Sequence, residues 1–351
     1  MTSFSKDRLA VLPTMHEVPR LEEMEAHFLH FWTSMRRNIH DHTRKSKLDF
    51  SMERKAKNLA ADAHKRRLLE AGLAPVKAEA RPAILAMARD GGRLCGPETS
   101  DDVHTLVAAL HAESGWMRDV STWIMQQMLR HIAAAGHGFA LPPVILAGPP
   151  GIGKSHYART LAQLARLPFR MIDVGGGSAG FRISGTEKGW GTEQPGVPVE
   201  TILATKTANP LMIVDEVDKA GTTYSTRGSS SSLTTSLLQM LEPGTARYFE
   251  CPYHRVPFDM SRVNWIMTAN HVDRIPAPLR DRSRVFNLPK LSTADAVAHF
   301  DRLTVESDDE RARDRCRIFI DQMSERSEGI SLRQISQLAD ALNVPEAPLY
   351  Q

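Results

Sequence analysis

The sequence has few cysteines and no long apolar run, and each absence excludes a class of protein. Its 351 residues include Cys95, Cys251 and Cys316, which lie far apart and form no CxxC pair or Cys/His cluster. A zinc site and a disulfide scaffold are therefore not expected. The first twenty residues lack the apolar stretch of a secretory signal, and no apolar run approaches the ~20 residues that span a bilayer. We expect a soluble, cytoplasmic protein with no membrane partner.

The chain also lacks a strong net charge. Lysine and arginine total 44 against 41 acidic residues, so the formal charge is +3 and does not by itself indicate nucleic acid as a partner. The charge is unevenly spread, because residues 36–70 hold eleven basic and five acidic side chains. This stretch is either a solvated helical face or a nucleic-acid contact.

Periodicity divides the chain into three predicted domains. Residues 1–95 form a basic helical region, with apolar residues at helical spacing over 21–39 and a second helical pattern over about 51–71. Residues 96–289 start with two helices, and Thr99 and Asp102 are spaced as a capping box for the first. Residues 290–351 show helical patterns alone, near 293–303, 309–326 and 331–342.

The middle part predicts an α/β fold. Apolar runs of strand length alternate with helical patterns, which is typical of a parallel sheet flanked by helices. The polar segment GTTYSTRGSSSS, residues 221–232, is predicted to be a mobile loop. The predicted strands cover about 144–147, 169–174, 211–214, 263–267 and 284–288.

The most specific motif is GPPGIGKS, residues 148–155, which matches the phosphate-binding P-loop pattern and lies between a predicted strand and a predicted helix. Glycines let backbone N–H groups surround the phosphates of ATP, and the helix N-terminus adds positive potential. Lys154 is expected to reach the β- and γ-phosphates, and Ser155 to hold Mg²⁺. The predicted ATP-binding residues are Gly148, Pro149, Pro150, Gly151, Ile152, Gly153, Lys154, Ser155 and His156.

A second motif, LMIVDEVDK at residues 211–219, places two carboxylates at the end of a buried strand. About 60 residues after a P-loop, this arrangement is typical of a Walker B site. Asp215 is then the carboxylate on the Mg²⁺ side, and Glu216 is the general base that polarises the attacking water.

These motifs resemble the AAA+ ATPase module of the Lon protease family. The run VPFDMSRVNWIMTANHVDRIPAPLRDRSRVF, residues 256–286, is similar to the corresponding Lon stretch, and so is SLLQMLEP, residues 236–243. The resemblance covers residues 148–288 and, more loosely, the C-terminal helices. It implies a P-loop NTPase fold with a C-terminal helical lid and a ring, six-membered as in the family. Because the sequence stops after the predicted lid, we expect it to lack Lon's peptidase domain.

The resemblance implies three further catalytic residues. Asn270 matches the sensor-1 position, which contacts the γ-phosphate and the attacking water. Arg282 matches the arginine finger that reaches the ATP of a neighbouring subunit, although Arg280 and Arg284 flank it and the trio is not separated by sequence alone. Arg333 matches the sensor-2 arginine of the lid, against the alternative of an ordinary exposed helical arginine.

The resemblance also implies residues that contact a polypeptide in a central pore. Trp190, in ISGTEKGWGTEQPG at residues 183–196, falls at the first pore loop, and its glycine-rich flanks favour this over a core tryptophan. Tyr224 is the candidate in a second pore loop, unless the serine-rich segment has no role.

The predicted function is ATP hydrolysis at subunit interfaces of a ring that remodels, unfolds or translocates a protein, without peptidase activity of its own. A separate protease or effector subunit is an expected partner. The alternatives are a nucleic-acid-associated motor or switch and an ATP-gated scaffold for an effector, such as one in a defence system.

Overall fold

The computed structural model of the chain describes residues 5–12, 18–39, 50–175, 179–187, 193–219, 222–224, 230–305, 309–326 and 329–342. Its helices, numbered in chain order, are α1 Leu21–Ile39, α2 Phe50–Glu70, α3 Arg81–Asp90, α4 Ser100–Glu113, α5 Arg118–Ala133, α6 Lys154–Leu164, α7 Ala179–Ser184, α8 Val197–Thr205, α9 Leu233–Leu241, α10 Pro243–Ala246, α11 Ala277–Asp281, α12 Thr293–Leu303, α13 Glu310–Ser324 and α14 Leu332–Leu342. Its strands are β1 Arg8–Leu9, β2 Gly92–Arg93, β3 Val144–Ala147, β4 Phe169–Asp173, β5 Leu211–Asp215, β6 Thr222–Tyr224, β7 Ser230–Ser232, β8 Phe249–Cys251, β9 Val256–Phe258, β10 Asn264–Ala269 and β11 Arg284–Asn287.

Five parallel strands form the central sheet, in the order β11-β3-β10-β5-β4. Every residue of β3 and β10 is buried. Parallel sheets are covered on both faces, which explains why their apolar runs are continuous rather than alternating. The carboxyl ends of β3, β5 and β10 meet at one edge, and ligands of open α/β sheets bind at such an edge.

Successive residues of each strand point to opposite faces of the sheet and belong to two separate cores. Ile145 of β3 and Val214 of β5 pack on one face with residues of α8 and α9. Leu146 and Ile213 pack on the other face with residues of α5 and α6. The P-loop between β3 and α6 is therefore fixed at both of its ends by buried elements.

The described part of residues 1–95 contains three helices and two short strands, and part of it packs on the sheet. The bounds of α1 agree with prediction, and α2 lies within one residue of it at each end. The helix α3 was not predicted, because its proline favours a turn. The structure places Pro82 in the first helical turn, where a missing N–H costs no hydrogen bond. Ile84 and Met87 of α3 join the same core as Val199 of α8.

Three helices follow the sheet. The helices α12, α13 and α14 contact one another, and no described residue after Asn287 belongs to a strand. Phe300 and Ile335 of these helices share a core with Leu146 of β3 and Ile152 of the P-loop. This helical part therefore rests directly on the loop that is predicted to bind phosphate.

The serine-rich segment differs from its prediction. Thr222–Tyr224 and Ser230–Ser232 pair as an antiparallel two-stranded sheet rather than lying in a loop. Threonine and tyrosine favour extended backbone, so the glycine and serine content of the segment was misleading. None of the helices in the described ranges has the length and apolarity needed to cross a membrane.

Candidate active site

The loop of residues 148–153 connects β3 to α6 in a conformation that needs its glycines. Gly151 and Gly153 have φ of 82° and 86°, a region that other residues rarely adopt. The N–H of Gly148 donates to the carbonyl oxygen of Ala269 at 3.1 Å, which ties the loop to the neighbouring strand. The loop therefore presents backbone N–H groups and the start of α6 at the carboxyl edge of the sheet.

Lys154 is buried at the centre of this site, with 7% of its surface exposed. Its Nζ donates to the carbonyl oxygens of Gly148 and Pro149, both at 2.8 Å, and to Oδ1 of Asn270 at 3.0 Å. Burial lowers the pKa of Lys154, while the charges of Asp215, Asp218 and Glu216 oppose that effect. A desolvated ammonium group is thus held among acceptors that an anionic phosphate can replace.

Asp215 and Ser155 form an oxygen-rich pair beside Lys154. The Ser155 hydroxyl donates to Oδ1 of Asp215 at 2.7 Å. The same carboxylate oxygen accepts from the hydroxyl of Thr268, which is buried in β10. One carboxylate and one hydroxyl suit Mg²⁺, which takes few protein oxygens and completes its coordination with water and phosphate.

Glu216 lies next to Asn270 and Lys219. Its Oε1 accepts from Nδ2 of Asn270 at 3.4 Å, and its Oε2 accepts from Nζ of Lys219 at 2.6 Å. The φ of Glu216 is 61°, an uncommon value for a residue with a side chain. Its N–H donates to the Thr268 hydroxyl at 3.1 Å, which holds the backbone in this conformation.

Arg333 lies in the first turn of α14, close in sequence to the contact between the helical part and the P-loop. The N–H of Leu332 donates to the carbonyl oxygen of Gly151 at 2.9 Å. Ser331 and Gln334 cap the start of this helix reciprocally, since each side chain accepts from the backbone N–H of the other. Arg333 itself is exposed. A cavity of about 680 Å³ lies between the P-loop and the helices α12–α14. Its lining includes Pro149, Pro150, Ile152, Leu291, Met323 and Ile330.

The three candidate finger arginines lie at the surface. Arg282 pairs with Glu242, with 3.3 Å between Nε and Oε2, and among the described residues it forms no ion pair with Asp215 or Glu216. Arg280 is exposed at the end of α11. The guanidinium of Arg284 lies 5.3 Å from the centre of the Phe286 ring, at the start of β11.

The remaining predicted site residues are the two pore residues and His156. Trp190 lies outside the described residues. Tyr224 ends β6, but its side chain is outside the described part. His156 faces α4, with Nε2 3.2 Å from Oε1 of Glu113.

Three residues at the site were not predicted. Thr268 supports both Asp215 and Glu216, and Asp218 accepts from the N–H groups of Asn270 and His271. The indole N–H of Trp116 donates to the carbonyl oxygen of Ile152 in the P-loop at 2.9 Å. One signal was available for Thr268, because it is polar in an apolar strand and stands two residues before Asn270.

Comparisons with known proteins agree with this geometry. Residues 144–290 match the model of the ATPase family associated with various cellular activities (AAA). The Lon protease of Desulfovibrio desulfuricans is 38% identical over 148 residues, 42% of this chain and 16% of that protein. The mitochondrial Lon protease homolog of Homo sapiens is 37% identical over 158 residues, 45% of this chain and 16% of that protein. The matched region thus spans less than a fifth of these relatives.

A solved structure of Hsp104 with ATPγS and FITC casein, in a closed state, shares the fold. Its TM-score is 0.51 at 14% sequence identity, and the alignment covers 82% of this chain and 54% of that one. With a parallel sheet, a P-loop between β3 and α6, and a family match over the same residues, the chain contains a domain of the AAA family that is similar to the corresponding part of Lon proteases.

Proposed function

We propose that this chain binds and hydrolyses ATP at the site around Lys154 and uses the energy to remodel, unfold or translocate a polypeptide. One observation carries the proposal. Lys154, Asn270 and Glu216 form a continuous hydrogen-bonded chain at the carboxyl edge of the sheet, beside the Asp215–Ser155 pair. Each group has the chemistry that one part of phosphoryl transfer requires.

The residues divide the work of hydrolysis. Lys154 exchanges the carbonyl oxygens of Gly148 and Pro149 for phosphate oxygens, while the loop N–H groups hold the remaining phosphate charge. Glu216 accepts the proton of the attacking water, and Asn270 orients both that water and the Glu216 carboxylate. Ser155 and Asp215 would hold Mg²⁺, which when bound neutralises charge on the phosphates.

The cavity between the P-loop and α12–α14 is the place for the adenine and ribose. The apolar side chains in its lining, such as Ile152, Leu291 and Ile330, suit a flat aromatic base, and polar ones such as Gln334 suit a ribose; its volume of about 680 Å³ lies within the range of small-molecule sites. Residues 290–351 then act as a lid, 96–289 as the ATPase domain and 1–95 as a helical region that recruits a substrate or partner. Arg333 would reach the γ-phosphate from the lid and couple hydrolysis to lid rotation.

The wider assembly we propose is a ring of identical subunits, six-membered, in the cytoplasm. The exposed position of Arg282 supports this, because an arginine finger must lie at the surface to meet the ATP of another subunit. Trp190 and Tyr224 would grip an extended polypeptide in the pore, and a separate protease or effector could receive it. The Hsp104 structure of the same fold was solved with casein, so casein is a reasonable first substrate.

The test is an ATPase assay with and without casein. Glu216→Gln should bind a fluorescent ATP analogue normally and hydrolyse ATP about 10²–10⁴-fold more slowly, since the general base is lost. Trp190→Ala should keep basal hydrolysis and lose its stimulation by casein. Glu250→Gln, at an exposed position of β8, serves as the control. Normal turnover by Glu216→Gln would remove the assigned base, and normal casein stimulation of Trp190→Ala would remove the threading role.

A further inference from the structure

We infer that Asp218 is a positioning residue for hydrolysis, which it serves by fixing the backbone at Asn270 so that the Asn270 amide bridges Lys154 and Glu216. This inference rests on the proposed function, because it assigns the step in which Asn270 acts. Asp218 lies in the short turn Val217–Lys219 that follows β5. Nothing in the P-loop or Walker B patterns assigns it a role.

The contact is a staple between two neighbouring strands. Oδ2 of Asp218 accepts from the N–H of Asn270 and from the N–H of His271, both at 3.1 Å. Asn270 and His271 follow β10, which pairs with β5 in parallel from Asn264 and Leu211 to Met267 and Val214. The carboxylate therefore joins the turn after one strand to the chain that leaves the other.

These two N–H groups lie beyond the end of the strand ladder. The pairing of β10 with β3 ends at Ala269, so the following amides need an acceptor from another element. An ionised carboxylate is a stronger acceptor than a carbonyl group, and one oxygen that receives two adjacent N–H groups fixes the direction of the peptide plane. The Asn270 side chain starts from that plane.

The side chain of Asn270 has little tolerance for displacement. Its Oδ1 lies 3.0 Å from Nζ of Lys154, while its Nδ2 lies 3.4 Å from Oε1 of Glu216. A shift of about 1 Å in a positioning group costs roughly 10²-fold in rate. Loss of the Asp218 staple should therefore slow the chemical step while the P-loop still binds ATP.

The second oxygen of Asp218 argues against a purely structural role. Oδ1 is buried and has no hydrogen-bond partner within the described residues. A carboxylate in this state is costly for stability, because a desolvated acceptor stays unsatisfied. Stability alone does not account for this unpaired oxygen. Positioning Asn270 requires only the other oxygen, Oδ2, which accepts the two N–H groups.

The experiment is a double-mutant cycle between Asp218 and Asn270, with kcat, the dissociation constant for an ATP analogue and Tm measured for each variant. Asp218→Ala should lower kcat about 10²-fold and leave ATP affinity within about threefold of wild type. Asp218→Asn keeps an acceptor oxygen at the same position, so its kcat should lie between those of Asp218→Ala and the wild type. In the Asn270→Ala background, neither substitution should lower kcat further, because no amide is left to position.

Asp102→Ala is the matched control. Asp102 also accepts from two backbone N–H groups, those of Glu98 at 3.2 Å and Thr99 at 3.0 Å, but it lies on α4. The Asp102→Ala variant should have the kcat of the wild type. If Asp218→Ala does not fold, Asp218→Asn completes the cycle.

Two outcomes overturn the inference. One is wild-type kcat in both Asp218 variants, and the other is an equal loss of kcat with and without Asn270, which indicates general destabilisation. Failure of the proposed function looks different, because the wild-type protein itself would then show no ATP turnover.

Discussion

At the scale of single residues, the site depends on a buried threonine as much as on the motif residues. The Thr268 hydroxyl donates to Asp215 and accepts from the N–H of Glu216, so one oxygen supports both Walker B carboxylates. Thr268→Val keeps the shape of the side chain but leaves that N–H without an acceptor. We expect kcat for ATP to fall roughly tenfold or more while the protein stays folded.

A matched substitution separates the site from the fold. Thr201 is also buried, and its hydroxyl donates to the carbonyl oxygen of Val197 within α8. Thr201→Val should change Tm slightly and leave kcat unchanged. Equal kcat values for the two variants would show that the Thr268 hydroxyl has no part in turnover.

Sequence patterns predict the candidate residues whose chemistry is local. The P-loop fixes Lys154 and Ser155 by spacing alone, and an apolar strand that ends in two carboxylates marks Asp215 and Glu216. Thr268 and Asp218 were not predicted, because their contacts depend on which strands are neighbours in space. The partner of Arg282 was not predicted for the same reason, since Glu242 is forty positions earlier in the chain.

The burial of His299 predicts that the stability of the fold depends on pH. His299 of α12 is buried beside Arg302, with Glu113 and His156 also near, and burial lowers its pKa to about 4. A histidine in an unfolded chain has a pKa near 6.5, so between these values the unfolded state binds more protons. Stability should be fully present above pH 6.5 or so and decline as the pH falls toward 4.

Thermal unfolding across this range measures the effect. His299→Gln should show a smaller loss of Tm between pH 7 and pH 4.5 than the wild type, because it has no proton to take up on unfolding. Replacement of the exposed His104 by Gln is the comparison. If Tm of His299→Gln depends on pH as that of the wild type does, a group other than His299 causes the loss of stability in acid.

At the scale of elements, the start of α14 and the P-loop fit together without room for a side chain. A Cβ on Gly151 would lie 2.5 Å from Cβ of Ser331, and the φ of 82° is unfavourable for alanine. Gly151→Ala should therefore displace the loop or α14, and ATP affinity should fall about tenfold or more. Titration with a fluorescent ATP analogue measures the change.

Gly244 is the control for that substitution. Gly244 lies in α10, and a Cβ there meets nothing within 4 Å. Gly244→Ala should bind ATP as the wild type does. Unaltered affinity in Gly151→Ala would mean that α14 does not rest on the loop when ATP is bound.

The elements themselves were largely predictable, and the exceptions have physical causes. All five strands of the central sheet were predicted to within two residues, because short stretches rich in apolar residues, bounded by turn residues, leave few alternatives. The helix α3 was missed because Pro82 favours a turn in isolation but fits the first turn of a helix. The order of the strands was not accessible, since it depends on contacts between distant segments.

At the scale of the whole molecule, the candidate finger is exposed and pairs with a residue outside the cluster around Lys154. Arg282 pairs with Glu242 at the surface, whereas Lys154 is buried under the P-loop. If ATP is hydrolysed between subunits, each active interface takes Lys154 and Glu216 from one chain and Arg282 from its neighbour. A chain that has lost Lys154 should then regain ATPase activity at an interface with a chain that has an intact Lys154, provided that Arg282 of the first chain is intact.

Mixing two inactive variants tests this arrangement. Lys154→Ala and Arg282→Ala should each hydrolyse ATP at a small fraction of the wild-type rate. In a 1:1 mixture, roughly a quarter of the interfaces in a mixed ring would pair an intact Lys154 with an intact Arg282, and ATPase activity should return in proportion. The control mixture is Lys154→Ala with Glu216→Gln, which damages the same side of every interface and should stay inactive. Mixed rings that form but show no recovery would place Arg282 outside the active interface, and recovery with Arg280→Ala in its place would move the finger two residues along the chain.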